Sequence, residues 1–188
     1  MTSHLFIYLF LFSFLSLSFS QTCQDLSSDE TCTFYQTCLE DEYSCGPDGY
    51  PMGYGYKYCE KFLEYLNEFS DSGKLWIQKT LVCLKQTLLP LAGDPATTCQ
   101  EIHDTAFDSH PKCYALNGFC ELFFDPVHIL ENVKGLLQVY EIKDLSQPIS
   151  IKQMVETAGL CGESVVQKFS DAIMRILEGE VESFLGNF

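Results

Sequence analysis

Ten cysteines and two histidines carry the residue types in this chain best suited to chemistry. The cysteines are Cys23, Cys32, Cys38, Cys45, Cys59, Cys83, Cys99, Cys113, Cys120 and Cys161. An even set of this size in a 188-residue chain reads as a disulfide framework. Zinc is the rival use of thiolates, but no Cys-x-x-Cys occurs. The closest neighbours, Cys32 with Cys38, Cys38 with Cys45 and Cys113 with Cys120, are too far apart for a zinc knuckle. Ten cysteines allow about 945 pairings, so counting leaves the connectivity open. His103 beside Asp104 offers a base and an orienting carboxylate; His110 with Asp108 lies two helical turns on. A general base needs a partner within hydrogen-bond reach, and two histidines do not fill a four-ligand metal site. No serine stands in a nucleophile elbow and no glycine-rich phosphate loop is present. The sequence therefore predicts no catalytic residue, no metal site and no cofactor.

A disulfide framework needs an oxidising compartment, and the start of the chain points to one. Residues 1–20 read MTSHLFIYLFLFSFLSLSFS, free of Asp, Glu, Lys and Arg, with small Ser18 and Ser20 ahead of Gln21. This pattern predicts a secretory signal peptide over 1–20 and a mature domain over 21–188. No later stretch approaches the roughly 20 apolar residues that span a bilayer, so the expectation is a secreted, extracellular protein with no membrane span. The net charge is −15, none of it in residues 1–20. That charge repels nucleic acid and anionic lipid, and reads as a solvated surface.

The elements that hold the cysteines read as helices. Ser70-Asp71-Ser72-Gly73 caps a helix to Leu89 whose face carries Ile77, Leu81, Leu84 and Leu88, with Cys83 beside it. A second helix starts at Thr97 or Thr98, runs through Ile102, Ala106 and Phe107, and restarts at Pro111. Gln21–Glu30 reads as a loose lead-in, with Thr31 capping a short helix through Phe34, Tyr35, Cys38 and Leu39. Cys45–Tyr56 reads CGPDGYPMGYGY, a tight-turn loop whose tyrosines lie against their own helices or form an exposed contact surface. Lys57–Phe69 follows as a helix with Phe62, Tyr65, Leu66 and Phe69 on one side. Asp125-Pro126 starts another that fades near Gly135, and Leu136–Leu145 is ambiguous between strand and irregular chain. Gln147-Pro148 opens a helix carrying Ile151, Met154, Val155 and Ala158. The last runs from about Glu163 to Leu185 on a stripe of Val165, Phe169, Ala172, Ile173, Ile176, Val181 and Phe184. Nothing alternates with period two. The prediction is an all-α, disulfide-stapled domain of about six to seven helices.

With these elements placed, the chain resembles the stanniocalcin family of secreted, disulfide-linked helical glycoprotein hormones, from about Cys23 to Leu185. The order and spacing of Cys83, Cys99, Cys113, Cys120 and Cys161 carry most of the resemblance. Phe34-Tyr35-Gln36-Thr37-Cys38-Leu39-Glu40, the Cys45-x-x-Asp48-Gly49 loop, Cys59-Glu60-Lys61-Phe62-Leu63, Thr80-Leu81-Val82-Cys83-Leu84 and Cys113-Tyr114 add to it. The resemblance implies five bonds: Cys23–Cys38, Cys32–Cys59, Cys45–Cys99, Cys83–Cys113 and Cys120–Cys161. It implies a hormone-like role in calcium and phosphate balance, exerted through a protein receptor or soluble protein partner. Two departures stand out. The family's usual interchain cysteine beyond the last helix has no counterpart, so no covalent dimer is expected. No Asn-x-Ser/Thr occurs either. The stripe over Ile176–Phe188 fits a non-covalent homodimer or packing on its own domain equally well.

Two rival functions stand beside this one. Cys99-Gln100-Glu101-Ile102-His103-Asp104 is similar to the His-Asp helix of secreted phospholipases A2, with the glycine-rich Cys45–Tyr56 loop in the place of their calcium loop. It lacks that family's paired cysteines before the histidine and the cysteine soon after it. The other rival is a secreted binding or inhibitor protein without signalling activity. Only a saturable, high-affinity partner separates a hormone from such a binder.

Overall fold

The computed structural model describes residues 22–185, all of it helix, turn and connecting chain with no strand. The predicted signal peptide over 1–20 lies outside the described residues. So do the side chains of Val181 and Phe184 in the C-terminal stripe.

The chain enters through helix α1, Cys23–Ser28, rather than through a loose lead-in. Thr22 and Asp25 form a reciprocal capping box that satisfies the first turn, a pattern that outweighs the polarity of the segment. Thr31 does not cap the next helix; its hydroxyl and backbone N–H both bond the Asp29 carboxylate. The chain then winds through a π-helical stretch, Tyr35–Glu40, into the short helix α2, Asp41–Tyr43. The expected loop is also partly helical. Tyr50–Tyr56 forms a second π-helical stretch that runs straight into α3, Lys57–Glu64. These wide turns pack on each other, and Gly55 makes the approach possible. A Cβ there would lie 2.6 Å from the Tyr35 ring.

Two long helices form the centre. In α4, Asp71–Leu88, the Ser70 hydroxyl accepts the Gly73 N–H at 3.2 Å. Its buried face is the expected one, with Ile77, Leu81, Leu84 and Leu88 joined by Trp76 and Thr80. In α5, Cys99–Leu116, Thr98 is the cap, accepting from the Glu101 N–H. Pro111 does not restart this helix but sits inside it. Proline removes the N–H that would bond the carbonyl four residues back, here that of Phe107. The Gln153 amide fills the gap, donating from Nε2 to the Phe107 carbonyl at 3.3 Å.

Helix α6, Ile129–Val139, follows Asp125, whose carboxylate accepts the N–H groups of Val127 and His128. It runs through Gly135 instead of fading there. Gly135 is a packing residue: a Cβ at this site would meet the Phe69 ring at 2.7 Å. The ambiguous segment resolves into the end of α6 and a short turn of helix, α7, Ile142–Leu145. Helix α8, Pro148–Cys161, packs chiefly on α5. Helix α9, Glu163–Leu185, packs on α6 and α8, burying Val165 and Ala172 and partly burying Phe169, Ile173 and Ile176. One core runs through all of this, with Phe34, Tyr35, Leu39, Phe69, Trp76, Ile102, Phe123 and Val133 almost wholly enclosed.

Candidate functional site

Five disulfides tie these helices together. Cys23–Cys38 joins α1 to the first π-helical stretch, and Cys32–Cys59 fastens the turn between those two elements to α3. Cys45–Cys99 anchors the start of α5 to the turn after α2, and Cys83–Cys113 joins α4 to α5. Cys120–Cys161 ties the end of α8 to the turn after α5, and no cysteine of the chain is free. In sequence the bonds span between 15 and 54 residues. Closing such loops removes unfolded-chain entropy, worth about 2–4 kcal/mol for a typical bond.

The tyrosine-rich segment turns inward. Tyr50 is 4% exposed, its ring at 5.3 Å from Phe107 and 5.8 Å from Tyr54, and its hydroxyl lies 3.0 Å from Nε2 of His110. Tyr54 stacks near His110 and leans on Tyr58. The rings close over a cavity of about 20 Å³ reached by Tyr35, Tyr50, Tyr54, His110 and Tyr114. That is space for roughly one water molecule. Burial pushes the hydroxyls of Tyr50 and Tyr114 well above their usual range, so both are neutral. Burial also pushes His110 down to about 4, against the opposing pull of its contact with Gln153. His110 is thus a neutral core residue linking three elements: Tyr50 on one ring nitrogen, Gln153 of α8 on the other, and α5 beneath.

His103 has a different fate. Its Nδ1 lies 2.9 Å from Asp104 at the half-exposed surface of α5, and its ring touches Phe107. The unbroken helix does carry His103 and His110 two turns apart. One is at the surface and the other enclosed, so they do not converge. Among the described residues no group of three or more His, Cys, Asp or Glu is placed to hold a metal ion.

Charged side chains form two structural knots. Lys85 is fully enclosed and donates to the carbonyls of Asp29 and Thr31 at 2.6 and 2.7 Å and to the Asp29 carboxylate at 3.0 Å. Lys57 and Lys61 reach Glu141 at 3.1 and 2.9 Å, and Lys57 also meets Asp144 at 2.7 Å. Burial works against the charge on Lys57, but its hydrogen bonds to Asp144 and Glu141 outweigh it and raise its pKa. Hydrogen bonds from Lys143, Lys61 and Lys57 hold Glu141 far below the usual carboxylate range. The Tyr58 hydroxyl bonds Asp144 within the same knot.

Helix α8 is inverted. The apolar set Ile151, Met154 and Val155 faces outward, between 45% and 66% exposed, while Ser150, Gln153 and Thr157 face the core. Hydrophobic periodicity points to the opposite orientation. The physical reason is on α5, where Pro111 leaves the Phe107 carbonyl without its helical donor and the enclosed His110 imidazole also needs a polar partner. Gln153 supplies both, and the residues one turn before and after it follow it inward. Neither Gln153 nor Lys85 is singled out by a motif. The one available signal is a proline within a helix, which demands a donor for the carbonyl four residues earlier.

An all-helical domain and a five-bond cysteine framework around a tyrosine-rich interior together define a class of disulfide-stapled helical protein. Residues 14–187 match the Stanniocalcin family, nearly the whole chain, and the protein belongs to that family. No curated protein and no solved structure matches it. Among the described residues, no helix is long and apolar enough to cross a membrane.

Proposed function

We propose that this is a secreted, stanniocalcin-like signalling protein that acts by binding another protein and serves calcium and phosphate homeostasis. Family membership over residues 14–187 is the observation that carries this reading. The site geometry supports it. The tyrosines and His110 close on each other around space for one water, and His103 is an ordinary helix-surface histidine, so neither feature suits a substrate. The helices instead present side chains outward from a cross-linked frame, which lowers the ordering cost of binding. The reading extends to chemistry: the secreted chain begins near Gln21, carries the five bonds described above, and is not an enzyme.

Binding of the labelled, purified mature protein to intact calcium-transporting epithelial cells tests this, with calcium and phosphate uptake read in parallel. The expected result is saturable binding, displaced by unlabelled protein, with a change in uptake. Saturable binding without a change in uptake favours the secreted binder that does not signal. Binding that never saturates contradicts both.

A further inference from the structure

We infer that Asn117 is a site of spontaneous deamidation, converted by attack of the Gly118 backbone nitrogen on its side-chain amide. Helix α5 stops after Leu116 through a glycine in the left-handed region, Gly118 at φ +109°. The Phe119 N–H donates to the Tyr114 carbonyl at 3.1 Å and the Gly118 N–H to the Ala115 carbonyl at 3.4 Å, the two bonds of a Schellman end. The residue that ends the helix therefore also opens Asn117 to attack. Glycine has no side chain to shield its nitrogen, and the Gly118 N–H is held only by the long bond to Ala115. Nothing packs on Gly118 either: the nearest atom to a Cβ there would be Glu121 Oε2, at 3.8 Å. Both residues are half-buried, so water reaches them.

Other positions in the described residues lack this combination. Asn67 and Asn132 precede Glu68 and Val133, whose side chains crowd the nitrogen, and Asn132 is enclosed and bonded to Ser70. Asp48 also precedes a glycine, but the Gly49 N–H donates to the Gly46 carbonyl at 3.0 Å, and a Cβ at Gly49 would lie 2.6 Å from that of Cys45. At Asn117 the reaction needs only water. Hydroxide takes the Gly118 N–H proton, and the nitrogen bonds Cγ of Asn117. The Cγ–Nδ2 bond breaks, and the amide nitrogen leaves as ammonia with a proton from solvent. Water then opens the five-membered imide at either carbonyl, giving aspartate or isoaspartate. To close the ring, Asn117 must release the Cys113 carbonyl, to which Nδ2 donates at 2.7 Å, and its peptide must turn from ψ 4°. The end of α5 thus sets the pace. The product lacks that donor and places a carboxylate against the last carbonyls of α5, at the negative end of the helix dipole. Cys83–Cys113 and Cys120–Cys161 flank the site and keep the altered chain cross-linked. The folded protein so records its age as one negative charge beyond the −15 of the sequence.

Incubation of the purified, disulfide-intact mature protein in mildly alkaline buffer tests this. Ion exchange follows the acidic product, peptide mapping locates it, and labelled methyl transfer by isoaspartyl methyltransferase identifies its chemistry. One acidic product should form, with aspartate and isoaspartate both at position 117. Its rate should rise about tenfold per pH unit, because the attacking nitrogen must first lose its proton. A helix end opens locally, without global unfolding, so the folded protein should convert within about 100-fold of the rate of the reduced, denatured chain. Asn117→Gln keeps the donor type but closes only a slower six-membered ring, so it should form no acidic product at this position. Conversion slower than that limit overturns the inference. So does aspartate formed without isoaspartate, or an acidic product that persists at the same rate in Asn117→Gln.

Discussion

Acidification should destabilise this protein through His110 well before its carboxylates titrate. His110 is 1% exposed and holds its proton only below about 4, because burial penalises the imidazolium. In the unfolded chain the same group titrates near its ordinary value of 6.5. A depressed histidine favours the fold fully above the unfolded value. That favour is lost as pH falls from about 6.5 towards about 4, because the unfolded chain takes up the proton first. The gap of about 2.5 pH units corresponds to about 3 kcal/mol, of which roughly 2.5 is gone by about pH 4.5. The assay is guanidinium unfolding of the disulfide-intact protein between about pH 7.5 and about pH 4.5, with His110→Gln beside the wild type. With a slope of about 4 kcal/mol per molar, the wild-type midpoint should fall roughly 0.6 M further than that of the variant. His128, whose Nδ1–H donates to the Asp125 carboxylate and whose pKa is raised by it, contributes in the opposite sense, losing stability as pH rises. It is common to both proteins and cancels, as do Glu141 and Asp144. Parallel midpoints for the two proteins across this window would refute the enclosed, neutral His110.

Lys85→Met removes the donor shared by two carbonyls and a carboxylate while filling similar space. It should cost about 3 kcal/mol, read as a lower denaturation midpoint with the fold retained. Gly135→Ala improves helix propensity by about 1 kcal/mol, yet its Cβ meets the Phe69 ring, so the net change should be a loss of roughly 1–2 kcal/mol in the same assay. A stabilised Gly135→Ala protein would mean that α6 and Phe69 are not packed this closely.

Much of the fold is legible in the sequence where a local cause acts alone. The face of α4 follows from Ile77, Leu81, Leu84 and Leu88, and its start follows from Ser70. The all-helical class follows from the same periodicity elsewhere, and the family from cysteine spacing. Failures occur where a distant residue decides. Helix α5 continues past Pro111 because Gln153, 42 positions later, satisfies the Phe107 carbonyl. Helix α8 turns its apolar side outward for the same reason. Helix α6 passes Gly135 because Phe69 occupies the space a side chain would need. The tyrosines of the 45–56 segment turn inward because the enclosed His110 gives the Tyr50 hydroxyl a partner. Cysteine pairing is a further case. Spacing shows that a framework exists, but which thiols meet is a property of the assembled helices.

Disulfide mapping is the decisive test of a secreted stanniocalcin-like frame closed by these five bonds. Mass spectrometry of non-reduced digests of the secreted chain should find Cys45–Cys99, Cys83–Cys113 and Cys120–Cys161, with Cys23–Cys38 and Cys32–Cys59 nearer the start. The intact mass should correspond to a chain beginning near Gln21 with ten fewer hydrogens than its reduced form. A different pairing, or thiols left free, would contradict the account.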